Sequence, residues 1–341
     1  MKKNKFFIIG IIVFIVLIIF ASLSLGAVKV NVKDILNIIY GKIIGNEEAY
    51  LNIDSSTVYI IWNIRFPRII VSLFIGGMLS IAGVTYQGIL KNPMADPFVL
   101  GISSGAALGA TIGIISKISF NILGLNFIAL MAFAGALLVI FIVYNIARIK
   151  NEIPITTLLL SGIAMSQFLT AILSILMMLF DRDLNKIFFW TLGSLSGKGW
   201  DSIISVIPYT VLGLLILMYY SKDMDILLLG DESAKNLGVE ADRVKKIILV
   251  TASIITAASV SVSGIIGFVG LIVPHIVRIF IGPKHLKLIP LSFITGGALM
   301  VICDTIARSI IPQEIPVGII TAILGAPFFI YILKKKKAEV F

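Results

Sequence analysis

The chain has 341 residues, 58% hydrophobic and only 13% charged, with a mean hydropathy of +1.06 and a formal net charge of +10. A water-soluble domain carries about 45–50% apolar and about 25% charged residues, so this chain holds more apolar surface than one globular core hides. Disorder is excluded, a cytosolic enzyme and a DNA-binding protein are disfavoured, and one cysteine, Cys303, with two histidines leaves no material for a disulfide or a Cys-based metal site.

What remains is an all-α polytopic membrane protein with the bilayer as solvent. A helix needs about 20 apolar residues to cross the hydrocarbon. Such runs predict ten spans, near 6–26, 69–90, 98–116, 123–147, 153–179, 202–220, 246–263, 265–281, 288–308 and 315–333. The first follows Lys2, Lys3 and Lys5, and its stretch from Phe6 to Leu25 exceeds a signal-peptide core, so it reads as an uncleaved helix. In residues 28–63, Val32, Ile35, Leu36, Ile39 and Ile43 recur at helical spacing. This predicts an external amphipathic segment on the outer membrane surface, or an ordered cap.

Further along, Gly101, Gly105, Gly109 and Gly113 form a stripe on the third span, where close helix packing in lipid needs small residues. The fifth span opens with Thr156, Thr157 and Ser161, followed by Met165. Hydroxyls there either bond back to their own helix or line a path. Between spans six and seven, residues 221–245 leave the bilayer but keep Leu227, Leu228, Leu229, Ala234 and Leu237. Asp231 or Ser233 is expected to cap a short helix there, and Gly238 to end it in the left-handed conformation. An apolar face outside the membrane points to docking of a soluble subunit, or to folding back on the bundle.

Ten spans put both termini on one side. Most of the 28 Lys and Arg, including Lys334 to Lys337, lie in loops on that side, which predicts cytoplasmic termini. Ser80, Gly83, Leu90, Pro93 and Gly101 recur 181 residues later as Ser261, Gly264, Leu271, Pro274 and Gly282, a candidate inverted repeat of the kind transporters use. Arg65, Arg68 and Arg308 fall at outer span ends, against the general bias; an exposed arginine fork suits a partner's carboxylate. Asp304 with Arg308 is the local alternative.

Seven stretches then occur in one order: RFPR (65–68), GGMLSIAGVTYQGILKNPMADPFVLGISSGA (76–106), LLLSG (158–162), LLLGDESAKNLGV (227–239), GFVGLIVPHIVR (267–278), DTIAR (304–308) and EIPVGIITAILGAPFF (314–329). This order resembles the permease subunits of ATP-binding-cassette (ABC) importers for iron–siderophore, haem and vitamin B12. The resemblance implies a single permease domain over 1–341 in a bacterial cytoplasmic membrane, paired with a second copy or a similar paralogue around a central path. It implies two ATP-binding subunits beneath, coupled through Leu227, Leu229, Gly230, Asp231, Glu232, Ala234, Leu237 and Gly238. It implies an extracytoplasmic solute-binding protein docking at Arg65, Arg68 and Arg308, and a cytoplasmic gate near Thr156, Thr157, Ser161 and Met165. The expected cargo is an iron(III)–siderophore chelate, with haem or cobalamin as alternatives.

GSLSGKGW (193–200) misses the P-loop spacing and lacks Ser or Thr after the lysine. No enzyme activity, cofactor or nucleic-acid partner is expected of this chain, and its energy must come from another one. Acidic residues cluster in loops, with none expected at the midplane where an ion-coupled carrier keeps them.

Overall fold

The computed structural model describes residues 2–26, 28, 30–122, 124–148, 154–311 and 313–340. The chain runs through α1 (Lys2–Ser24), α2 (Val32–Ile44), α3 (Ser55–Tyr59), α4 (Phe66–Ile89), α5 (Ile102–Ser116), α6 (Phe127–Ala147), α7 (Ile155–Leu179) and α8 (Leu184–Thr191). It continues with α9 (Trp200–Tyr219), α10 (Ser221–Leu227), α11 (Asp231–Asn236), α12 (Ala241–Ser263), α13 (Val269–Ile281), α14 (His285–Ala307) and α15 (Val317–Val340). Each predicted span contains a helix. Among the described residues six helices are long and apolar enough to cross a membrane, and shorter apolar stretches lie in α1, α5, α13 and α15.

Several span starts differ from expectation by four residues or more, as α12 does in starting at Ala241 rather than 246, and two of the differences have a plain local cause. The second long helix starts at Ser55 rather than 69, because α3 passes into α4 through a π-helical stretch, Ile60–Arg65. Pro67 lacks the N–H an unbroken ladder needs, and the wider turn precedes it. The fourth span starts at Phe127 rather than 123: a minimal antiparallel ribbon pairs Asn121–Ile122 with Leu125–Asn126, and Asn126 accepts the Ala129 N–H at 2.8 Å as a helix cap.

α4 is the centre of the bundle, almost wholly buried among α9, α12, α13 and α14. Glycine makes that possible at Gly83, where an added Cβ would collide with the Gly270 carbonyl of α13. α5 packs on α6 in the same manner, with Gly105 against Gly135 and Gly109 against Met131, and Gly113 above Ile128. Gly101 plays a different part, closing with φ +81° the turn Pro97–Leu100 that leads into α5.

α2 turns Ile35, Ile38 and Gly41 inward, while Val32, Leu36 and Ile43 from the expected apolar face are exposed. The residue matches of the candidate repeat do not fall at corresponding places along their helices. Ser80 and Gly83 lie in the middle of α4, whereas Ser261 and Gly264 lie at the end of α12. Pro93 is in a turn and Pro274 inside α13. Close helix packing selects the same small residues at unrelated positions.

Candidate functional site

Two opposite ends of the bundle carry the chemistry, because α4 and α14 run antiparallel and each brings polar residues to both. At one end, α10 and α11 form a small platform joined by Gly230, with φ +113°. Leu227, Ala234 and Val239 are buried in the core of the bundle, while Leu228, Leu229 and Leu237 are exposed. The apolar residues thus divide between anchoring the platform and facing away from it. Glu232 is exposed beside them. Gly238 takes the expected left-handed conformation, with φ +83°.

Neither Asp231 nor Ser233 caps α11, whose N-cap position is Gly230. Asp231 instead accepts from Lys245 Nζ at 2.5 Å and lies 3.7 Å from Lys91 Nζ. Partial burial alone would raise its pKa, but Lys245, Lys91 and Lys235 together hold the carboxyl below its ordinary value. A carboxylate among lysines is better used as a strut to α12 than as a cap.

A second strut was not evident from sequence. Asp225 Oδ1 on α10 accepts both the backbone N–H of His285, at 2.9 Å, and its Nδ1–H, at 2.6 Å. His285 opens α14 and its ring lies beside Gly88 at the end of α4. Nearby, Arg278 Nη2 donates to Gln87 Oε1 at 2.9 Å, and Gln87 Nε2 donates to the Leu271 carbonyl at 3.1 Å. The platform is thereby tied to α4, α12 and α14, so a force applied to it reaches the central helices.

At the other end the arginines correct the sequence reading. Arg65, Arg68 and Arg308 are all buried, not exposed forks. Arg68 Nε and Nη2 clasp Asp304 at 2.8–3.0 Å, and Arg68 Nη1 donates to both Glu314 oxygens at 3.0 Å. Arg308 Nε lies 3.7 Å from Asp304. Arg65 donates to the carbonyls of Leu23 (2.6 Å) and Val28 (2.5 Å), and Arg308 to Leu25 (3.0 Å) and Ser22. The last turn of α1 leaves carbonyls without intrahelical donors and carries the negative end of its dipole, so two guanidiniums satisfy both needs. A cavity of about 560 Å³ opens beside this cluster, lined by Arg65, Arg68, Arg308, Glu314, Ile64 and Ile310. Burial would raise the Glu314 pKa, but Arg68 and a Ser196 hydroxyl bond hold it below its ordinary value.

Of the six long apolar helices α7 is the least buried. Only Leu158, Gly162 and Leu169 are buried. Thr156 is exposed and Thr157, Ser161 and Met165 are half-buried. Ser166, Thr170 and Ser174 bond back to the carbonyls four residues earlier. No acidic or basic residue occurs in α7. Among the described residues there is no group of His, Cys, Asp and Glu able to hold a metal ion.

The FecCD transport family is matched over residues 13–335. The chain is 45% identical over 280 residues to the cobalamin import system permease protein BtuC of Halobacterium salinarum, covering 82% of this chain and 74% of that protein. It is 36% identical to the iron(3+)-hydroxamate import system permease protein FhuG of Bacillus subtilis, covering 98% of each. A solved chain described as an inward-facing metal-chelate type ABC transporter superposes with a TM-score of 0.82 at 28% identity, covering 98% of this chain and all of that one. The chain therefore belongs to the FecCD transport family: it is the permease of an ABC importer, a transport component and not an enzyme.

Proposed function

We propose that this FecCD permease carries a large metal chelate, an iron(III)–siderophore complex, across a bacterial cytoplasmic membrane, as one half of a dimeric path. The observation that carries the reading is the α7 face: a long open surface with Thr156, Gln167, Thr170 and Ser174 among aliphatic residues and no formal charge. Such a surface suits a bulky solute that must be released rather than held. Thr156, Thr157, Ser161 and Met165 would form its cytoplasmic end. The 45% identity to a cobalamin permease favours a second reading, cobalamin, through the same surface.

In this reading both termini and the α10–α11 platform are cytoplasmic, and exposed Leu228, Leu229 and Leu237 enter a groove on each of two ATP-binding subunits. Residues 28–63 cap the outer side. A solute-binding protein docks at the opposite cavity. Arg65, Arg68 and Arg308, being buried, serve there by holding the mouth in shape and leaving it one positive charge in excess of Asp304 and Glu314.

Deleting Asp231 to Gly238 from the full chain is expected to abolish co-purification of the ATP-binding subunit while the permease still folds. Retention of the subunit at wild-type level would refute the coupling assignment. Uptake of labelled ferric hydroxamate against labelled cobalamin, in cells lacking their own permeases, separates the two cargoes.

A further inference from the structure

A groove of about 430 Å³ runs between α6 and α12. One wall is a stripe on α6, from Leu137 through Ile140, Phe141 and Tyr144 to Arg148. The other is a stripe on α12, from Lys246 through Val250 to Ile254. The groove is polarised along its length: both cations, Arg148 and Lys246, sit at one end with Tyr144 and Asn145, and the deeper part is aliphatic and aromatic. The 11-residue separation of Leu137 and Arg148 in helix corresponds to about 16 Å, close to the about 15 Å of one leaflet's hydrocarbon.

Two details single this groove out from ordinary lipid-facing surface. Most of α12 is buried, yet it exposes Lys246 and Val250 here. The ammonium of Lys246 also lies over the Tyr144 ring, 6.0 Å from its centroid, which holds the charge at the mouth rather than letting it extend into water.

We propose that this groove is a binding site for one anionic phospholipid. Its phosphate lies between Arg148 and Lys246, and one acyl chain lies along Phe141, Val250 and Ile254. The cations supply attraction for the headgroup, and the apolar walls match a chain of one leaflet's depth. Because α12 begins directly after the α10–α11 platform, an occupied groove would brace α12 against α6. The site stands on the groove and its charges alone and does not depend on the cargo or the ATP-binding partner.

The test uses the full chain in detergent and native mass spectrometry, with dioleoylphosphatidylglycerol, dioleoylphosphatidylcholine and inorganic phosphate as probes. The wild type is expected to retain one phosphatidylglycerol that phosphatidylcholine does not displace. R148Q/K246Q should weaken its retention about thirtyfold, and V250W, which fills the groove, should weaken it with both cations intact. Melting of each variant without lipid monitors folding; should the double variant fail to fold, K246Q alone, at an exposed position, carries the test. Equal retention of the two lipids, or unchanged retention in either variant, would overturn the proposal. Displacement by millimolar inorganic phosphate would reduce the site to a simple anion site and equally overturn it.

Discussion

Arg68 on α4 and Asp304 on α14, 236 residues apart, are joined by three hydrogen bonds of 2.8–3.0 Å with both side chains buried. The pair fixes where the first turn of the central helix meets the last turn of its antiparallel neighbour. Glu314 and Arg308 extend it into a network, so each member neutralises another.

Removing one partner leaves a buried charge without compensation, which costs about 3–5 kcal/mol. Arg68→Ala is expected to destabilise the protein by this order, read from chemical unfolding in detergent. A loss below about 1 kcal/mol would show that water reaches the site and that the clasp is dispensable.

Gly83→Ala pushes a Cβ into the Gly270 carbonyl and must separate α4 from α13. The expected cost is about 1–3 kcal/mol, the range for overpacking. Gly10→Ala on α1, with no neighbouring atom within 4 Å, is the control and should leave the melting temperature unchanged.

Asp231→Ala cuts the strut from α11 to Lys245. The pair is half-exposed, so global stability should change by no more than about 1 kcal/mol. ATP-driven uptake should fall severalfold, because the platform no longer moves with α12. Full uptake with a loosened strut would mean that Asp225 and His285 suffice to transmit the motion.

Asp96 sits in the turn before α5 and accepts the Phe98 N–H at 2.8 Å. Burial pushes its carboxyl up to about 6, against the lowering effect of that bond. The folded state therefore favours the protonated form relative to the unfolded chain, whose carboxyl titrates at about 3.9. The stability from this group is present in full below that value and is lost as pH rises through about 6. Thermal melting at about pH 5 and about pH 7.5 should show wild type gaining more on acidification than Asp96→Asn, and equal gains would contradict the assignment.

Much of the architecture is legible in the order of residues. Each of the ten apolar runs contains a helix, since a segment that must bury its backbone in hydrocarbon declares itself by local composition. The glycine stripe leading through α5 and the left-handed turn at Gly238 are legible for a similar reason, because glycine answers to backbone geometry close to it. Span edges are less so: Asn126 and the π-helical stretch before Pro67 shift them through single caps and turns that average hydropathy does not register.

Class, helices and family motifs thus follow from the chain read alone, because they depend on neighbours within a few residues. What the charged side chains do was settled by packing. Arg65 reaches carbonyls of α1 and its following turn, Arg68 reaches Asp304, Arg308 reaches Ser22, and His285 reaches Asp225. A guanidinium at a helix end has the same local sequence whether it faces a partner or a buried carbonyl. What distinguishes the two is the position of groups 37 to 286 residues away, and only the packed bundle sets that.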